Sequence, residues 1–148
     1  KVAEDLQTIP GLDGAKMSKS YGNTIDIFQN EKQLKKTVGQ IVTDSTALED
    51  PKDWSTCNVY ALAKLFLDED GLLELQKRYE KGGEGYGHFK MYLKELIWDY
   101  FKEAREKREH YLNNTHEVYD ILDNGAAKAS AIAQEKMKII RDAVGIYR

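Results

Sequence analysis

From Gln29 onward, apolar residues recur every three or four positions in separate blocks, each bounded by turn-forming or capping residues. Leu34, Val38, Ile41 and Val42 form the first stripe, with Lys32, Lys35 and Lys36 outside it. Asn30 stands where an N-cap is needed, and Gln33 at the position that completes a capping box, so a helix is predicted from there to about Ile41. Val59, Leu62, Ala63, Phe66 and Leu67 predict a second helix over residues 55–67. Leu72, Leu73, Leu75 and Tyr79 predict a third over 71–80, capped by Asp68 or Asp70. A long fourth helix, 88–112, follows from Phe89, Leu93, Leu96, Ile97, Tyr100, Phe101 and Ala104. Asn113-Asn114-Thr115 breaks it and starts a short fifth, and Asn124-Gly125 reads as a left-handed stop. The last, 126–144, is alanine-rich, and Ala129, Ala133, Met137 and Ile140 on one side imply close helix packing. Only residues 2–9 carry any strand signal, and Pro10-Gly11 ends it. The expected fold is all-α, a bundle of about six helices.

Ahead of the helices lies Gly11-Leu12-Asp13-Gly14-Ala15-Lys16-Met17-Ser18-Lys19-Ser20-Tyr21-Gly22-Asn23-Thr24. Glycine lets backbone bend freely and approach a ligand closely. Lysine is a mobile point charge suited to phosphate, and hydroxyls add hydrogen bonds. The stretch therefore reads as a mobile loop built to meet a polyphosphate, set against the alternative of a basic surface turn. The second glycine-rich run, Gly82-Gly83-Glu84-Gly85-Tyr86-Gly87, has a helix after it but no strand before it. It reads as a joint rather than a phosphate cradle.

Composition adds bounds. The 148 residues suffice for one domain with a sizeable core, or for a loop and a small domain. No run is apolar enough to span a membrane, and no secretory signal opens the chain. The first residue is Lys1, so a piece of a longer product is expected. The single cysteine, Cys57, excludes an internal disulfide, suits a reducing cytoplasm and reads as a small buried hydrophobe. A net charge of −3 does not advertise a nucleic-acid binder, but it is unevenly spread. Residues 47–70 carry six acids against two lysines, and residues 126–148 five bases against two acids. Only a local basic face could hold RNA phosphates, and Lys128, Lys138 and Arg141 are the candidates. His88, His110 and His116 lack the spacing and companions of a metal site, so none is expected.

Lys16-Met17-Ser18-Lys19-Ser20 matches the second signature of the class I aminoacyl-tRNA synthetases. A fixed pentapeptide of this kind arises by chance in about one chain of this length in ten thousand. Several further blocks resemble the bacterial tryptophanyl-tRNA synthetase family rather than its tyrosine-specific relative. They are Pro10 to Gly14, Tyr21 to Thr24, Ile41 to Thr46, Cys57 to Tyr60, Gly85 to Lys90, Gly125 to Ala129 and Arg141 to Gly145. The resemblance implies an enzyme that activates tryptophan with ATP and Mg²⁺ and esterifies its tRNA in the cytoplasm, as a homodimer joined mainly through the nucleotide-binding domain. It implies that Lys16, Met17, Ser18, Lys19 and Ser20 meet ATP, Lys16 and Lys19 catalytically, and that the helical part binds the tRNA anticodon end. The family's first, histidine-containing signature is not expected here, since all three histidines lie downstream of the loop, and neither are its Rossmann strands or its tryptophan pocket. The expectation is a carboxy-terminal portion, inactive and without bound cofactor on its own. Residues 1–28 would end the catalytic domain, and 29–148 would form the helical domain. The alternatives are a freestanding helical RNA-binding or interaction module derived from a synthetase tail, the corresponding part of a tyrosyl-tRNA synthetase, and a structural helical domain with a decorative basic loop.

Overall fold

The structure, a computed structural model, describes residues 8–146. The described residues contain six α-helices and no strand beyond one isolated bridge between Pro10 and Lys16. In chain order they are α1 (Glu31–Gly39), α2 (Asn58–Ala63), α3 (Glu69–Lys81), α4 (Tyr86–Tyr100), α5 (Lys102–Asn113) and α6 (Thr115–Val144). The all-α expectation holds, and no Rossmann sheet is present among the described residues. Most of the early strand reading, residues 2–7, lies outside them. The chain divides into two compact units, Lys1–Arg105 and Glu106–Arg148.

In the first unit the caps that start α1 and α3 follow the sequence. Asn30 accepts from the Gln33 amide at 2.9 Å while the Gln33 side chain accepts from Asn30 N–H at 3.2 Å, the reciprocal capping box. Asp68 caps α3 by accepting from Gly71 N–H at 2.9 Å. The core gathers around α4, whose Phe89, Leu93 and Ile97 are buried with Leu34 and Val38 of α1, Val59, Leu62 and Ala63 of α2, and Leu75 and Tyr79 of α3. Tyr79 stacks on Phe89 with ring centroids 3.9 Å apart. Cys57 is buried as expected, its sulfur 3.5 Å from the Tyr79 hydroxyl.

Two lysines are buried with partners, which the sequence pattern did not single out. Lys94 on α4 pairs with Glu31 at the start of α1 and with Glu95, tying the two helices by charge as well as by packing. Lys52 donates to the carbonyls of Ala47, Leu48 and Asp50 at 3.1, 3.1 and 2.9 Å, drawing the acidic loop around one ammonium. Gly82 at the end of α3 has φ 69°, and a side chain there would collide with the Glu49 carbonyl of that same loop.

Several helix boundaries differ from those expected. The second helix is shorter than expected, because the Asp53 carboxylate takes the Ser55 amide and the Ser55 and Thr56 hydroxyls into a turn before it. At its far end, bonds from Leu65 to Leu62 and from Phe66 to Ala63 tighten the chain out of the α-helix. The glycine-rich joint gives way to helix at Tyr86, earlier than expected, with Gly87 in the first turn. The long fourth helix is broken at Phe101. There Arg105 bonds the Trp98 carbonyl and lies over its indole at 3.6 Å, while Tyr100 and Phe101 both set edges against Phe66.

The second unit holds the end of α5 and all of α6. Asn114 separates the two helices, its side chain donating to the His110 carbonyl at 2.8 Å, and His110 meets Glu117 at 2.8 Å. The expected stop at Asn124-Gly125 does not occur, since α6 runs unbroken to Val144. One internal glycine costs about 1 kcal/mol, which long helical flanks can offset. The left-handed cap is instead Gly145 at φ 75°, with Gly145 N–H to Asp142 and Ile146 N–H to Arg141 closing a Schellman motif. The close packing expected of the alanine stripe is not found here, because no described residue of α6 is buried.

Leu93 is fully buried at the middle of the α4 stripe. Leu93→Ala should lower unfolding free energy by about 2–5 kcal/mol in urea melts, the cost of lost transfer and a cavity. A loss below about 1 kcal/mol would show that the core does not depend on this helix.

Candidate functional site

The loop from Gly11 to Asn23 begins where Ile9 and Pro10 run beside Lys16 and Met17. Met17 N–H donates to the Ile9 carbonyl at 2.8 Å, and Gly11 N–H to Ala15 at 2.7 Å. The turn between is held by Asp13, whose carboxylate accepts from Ala15 N–H at 3.1 Å, and by Gly14 at φ 82°. A side chain at Gly14 would stand 2.7 Å from the Asn58 amide, so the turn needs glycine for space and for conformation. After the first lysine, Lys19–Tyr21 forms a 3₁₀ turn closed by Gly22 at φ 67°, and the Ser18 and Ser20 hydroxyls meet at 2.8 Å. The glycines that the sequence suggested as sources of mobility thus also have defined conformational tasks.

Asn23 closes the loop from beneath. Its side chain is buried, its oxygen accepts from Ser18 N–H at 2.8 Å, and its amide donates to Asp13 at 2.8 Å and to the Lys16 carbonyl at 3.2 Å. Gly11 packs directly on it, leaving no room for a Cβ. Beyond it, Val42 N–H donates to the Leu12 carbonyl at 2.8 Å, and the Asn58 side chain to the Val42 carbonyl at 3.1 Å. The loop therefore rests on the segment that follows α1 and on the start of α2.

The five signature residues lie together on this base. Met17 is half-buried against the hydrophobic core, while the side chains of Lys16, Lys19 and Ser20 face solvent and Ser18 is partly covered. Among the described residues, neither Lys16 nor Lys19 is committed to a carboxylate. The arrangement fixes the backbone and leaves the Lys16 and Lys19 side chains exposed. Lys128, Lys138 and Arg141 are all exposed on α6, spread over about 20 Å of helix at 1.5 Å per residue. They belong to the second compact unit and the loop to the first. Among the described residues no group of three or more histidines, cysteines or carboxylates is gathered to hold a metal. Sequence reasoning placed Asp13 and Asn23 in the loop and Asn58 in a resembling block, but gave none of the three a role in holding it.

Residues 4–122 match the family model described as tRNA synthetases class I (W and Y). The chain belongs to that family. It is 62% identical over 146 residues to a tryptophan–tRNA ligase of Campylobacter jejuni strain RM1221, covering 99% of this chain and 46% of the relative. It is 45% identical over 145 residues to the Fusobacterium nucleatum tryptophan–tRNA ligase, covering 98% of this chain and 44% of the relative. The crystal structure of the Campylobacter jejuni tryptophanyl-tRNA synthetase complexed with ADP and tryptophan superposes with a TM-score of 0.93 at 62% identity. That match covers 98% of this chain and 46% of the other. The chain thus spans about half the length of these class I relatives.

The Asp13 carboxyl in this synthetase loop is held below the ordinary aspartate value of 3.8, chiefly by the hydrogen bond from Asn23 and also by the Ala15 amide. Because the folded value is depressed, the contribution is present above the ordinary value and is lost as pH falls through the folded one. An NMR titration should find Asp13 below 3.8, with the Ala15 and Ser18 amides shifting in step. A midpoint at or above 3.8 would mean that the Asn23 bond does not form in solution.

Proposed function

We propose that this chain is the carboxy-terminal portion of a tryptophanyl-tRNA synthetase and supplies its ATP-phosphate loop and its helical tRNA-binding domain. The observation that carries the reading is the signature loop, a hydrogen-bonded base under two solvent-facing lysines. Similarity to tryptophan enzymes along nearly the whole chain supports tryptophan over tyrosine as the amino acid. Residues 1–28 then close the catalytic domain, and 29–148 form the helical domain. The partners are ATP, tryptophan, its tRNA and a second copy of the enzyme, in the cytoplasm where tRNA is charged. Among the described residues no helix is long and apolar enough to cross a membrane.

In the activation step the tryptophan carboxylate attacks the α-phosphorus of ATP, tryptophanyl-adenylate forms and pyrophosphate leaves. Negative charge grows on the leaving phosphates, and Lys16 and Lys19 meet it. Ser18 and Ser20 offer weaker hydroxyl donors, and Met17 seats the loop on the core. Mg²⁺ shields the ATP phosphates when bound. The described residues offer no gathered ligand set for it, so the chain's own contribution rests on the lysines.

Charge that meets the transition state more closely than the ground state raises rate rather than affinity. In the intact enzyme, Lys16→Ala or Lys19→Ala should slow single-turnover adenylate formation a hundred- to thousand-fold, about 3–4 kcal/mol, with the ATP dissociation constant little changed. Weaker ATP binding at an unchanged chemical rate would reduce both lysines to binding groups.

Lys128, Lys138 and Arg141 lie in the basic stretch of an otherwise acidic chain, which supports them as phosphate-binding groups. Replacing all three with alanine should weaken binding of tryptophan tRNA. It should also lower the slope of log K against log salt by about one for each phosphate no longer neutralised. An unchanged affinity and slope would assign them to a solvated face.

A further inference from the structure

We propose that Asn23 is a positioning residue for the activation step, holding the backbone on both sides of Met17 and thereby setting where the Lys16 and Lys19 ammoniums stand. The inference rests on the reading of the loop as the ATP-phosphate site. Its basis is the direction of three hydrogen bonds. Asn23 Oδ1 accepts from Ser18 N–H, one Nδ2 hydrogen goes to the Lys16 carbonyl, and the other to Asp13. A carboxamide accepts through one atom and donates through the other, whereas a carboxylate only accepts and a hydroxyl has one hydrogen to donate. The site therefore selects an amide over its closest isostere.

Its surroundings agree with that selection. Asn23 is 4% exposed, although it belongs to a loop whose lysines are open to solvent. Gly11 gives up its side chain to admit it, and the Asn23 carbonyl accepts the Leu12 amide at 2.9 Å. The groups its side chain holds are loop groups: the carbonyl of one lysine, the amide just before the other, and the carboxylate of the preceding turn. None belongs to α1, α2, α3 or α4, so cutting these bonds should leave the helices folded. A shift of about 1 Å in a charged group aimed at a reacting centre costs on the order of a hundredfold in rate.

The test uses the intact enzyme and the variants Asn23→Asp, Asp13→Asn and the two combined. Asn23→Asp sets two carboxylates against each other where a donor stood, and removes the donor to the Lys16 carbonyl. Single-turnover adenylate formation should slow at least tenfold. The KM for tryptophan and the helical circular-dichroism signal should not change, and the melting temperature should fall by no more than about a few degrees. In the double variant the amide introduced at position 13 donates to the carboxylate introduced at position 23, which still accepts from Ser18. It should recover part of the lost rate, relative to Asp13→Asn alone, since the carboxylate clash is relieved while the Lys16 carbonyl still lacks its donor. An unchanged rate in Asn23→Asp, or a double variant no faster than it, overturns the proposal. Early melting of Asn23→Asp with loss of helix also overturns it, by assigning Asn23 to the fold as a whole. A wild-type enzyme that makes no adenylate overturns the reading of the loop and this inference with it, whereas the other outcomes overturn the inference alone.

Discussion

Burial of the α4 stripe is the constraint on which the first compact unit depends. Phe89, Leu93 and Ile97 recur at helical spacing on one face, and that face is where α1, α2 and α3 bury their own apolar residues. Without it the three shorter helices would have little to hold them, because helices of this length are marginal in water without tertiary packing. Polar interactions then fix the angle and register that apolar packing leaves loose. Lys94 links α4 to the first turn of α1, and Lys90 of α4 caps the last turn of α1 by donating to the Gly39 carbonyl at 3.1 Å. Arg78 pairs with Glu84 across the joint between α3 and α4, its guanidinium over Tyr92 at 5.0 Å.

The loop inherits its geometry from that core through very few bonds. α1 ends at Gly39, Ile41 is buried, and the next residue, Val42, offers its amide to Leu12 and its carbonyl to Asn58. A loop tied in this way has a definite base without being packed along its length. The Asn23 amide, buried, and the Asn58 amide, partly covered, hold the backbone, and the Lys16 and Lys19 side chains lie exposed above it. This is consistent with the proposed role of a group that strengthens its hold as charge develops on a leaving phosphate.

The second unit follows a different logic. Its long helix buries nothing within the described residues, yet exposes Ile132, Met137, Ile139, Ile140 and Val144 along with its cations. Its continuity comes from helix propensity and its C-terminal cap. Alanine-rich sequence after Gly125 offsets the glycine, and the Schellman closure at Gly145 satisfies the last carbonyls.

Helical class, the capping box at Asn30, the Asp68 cap, the buried cysteine and the signature lysines were all legible in the chain itself. The caps and helical stripes depend on residues a few positions apart, and local spacing records such relations directly. Where α4 ends was not legible, because Phe101 and Arg105 answer to Phe66 and Trp98, whose positions only the packed structure sets. The unbroken run through Asn124-Gly125 was equally hidden, since a turn signal competes with flanking helix whose strength a local reading underrates. At the site, sequence alone determined which groups carry charge. Tertiary structure decided how they are held: Asn23 turns inward only because Gly11 leaves it space and Asp13, Lys16 and Ser18 converge on it from across the loop. Hydrogen-bond partners that meet by folding leave no periodicity to read, so the lysines could be found by pattern and the amide beneath them only by position in space.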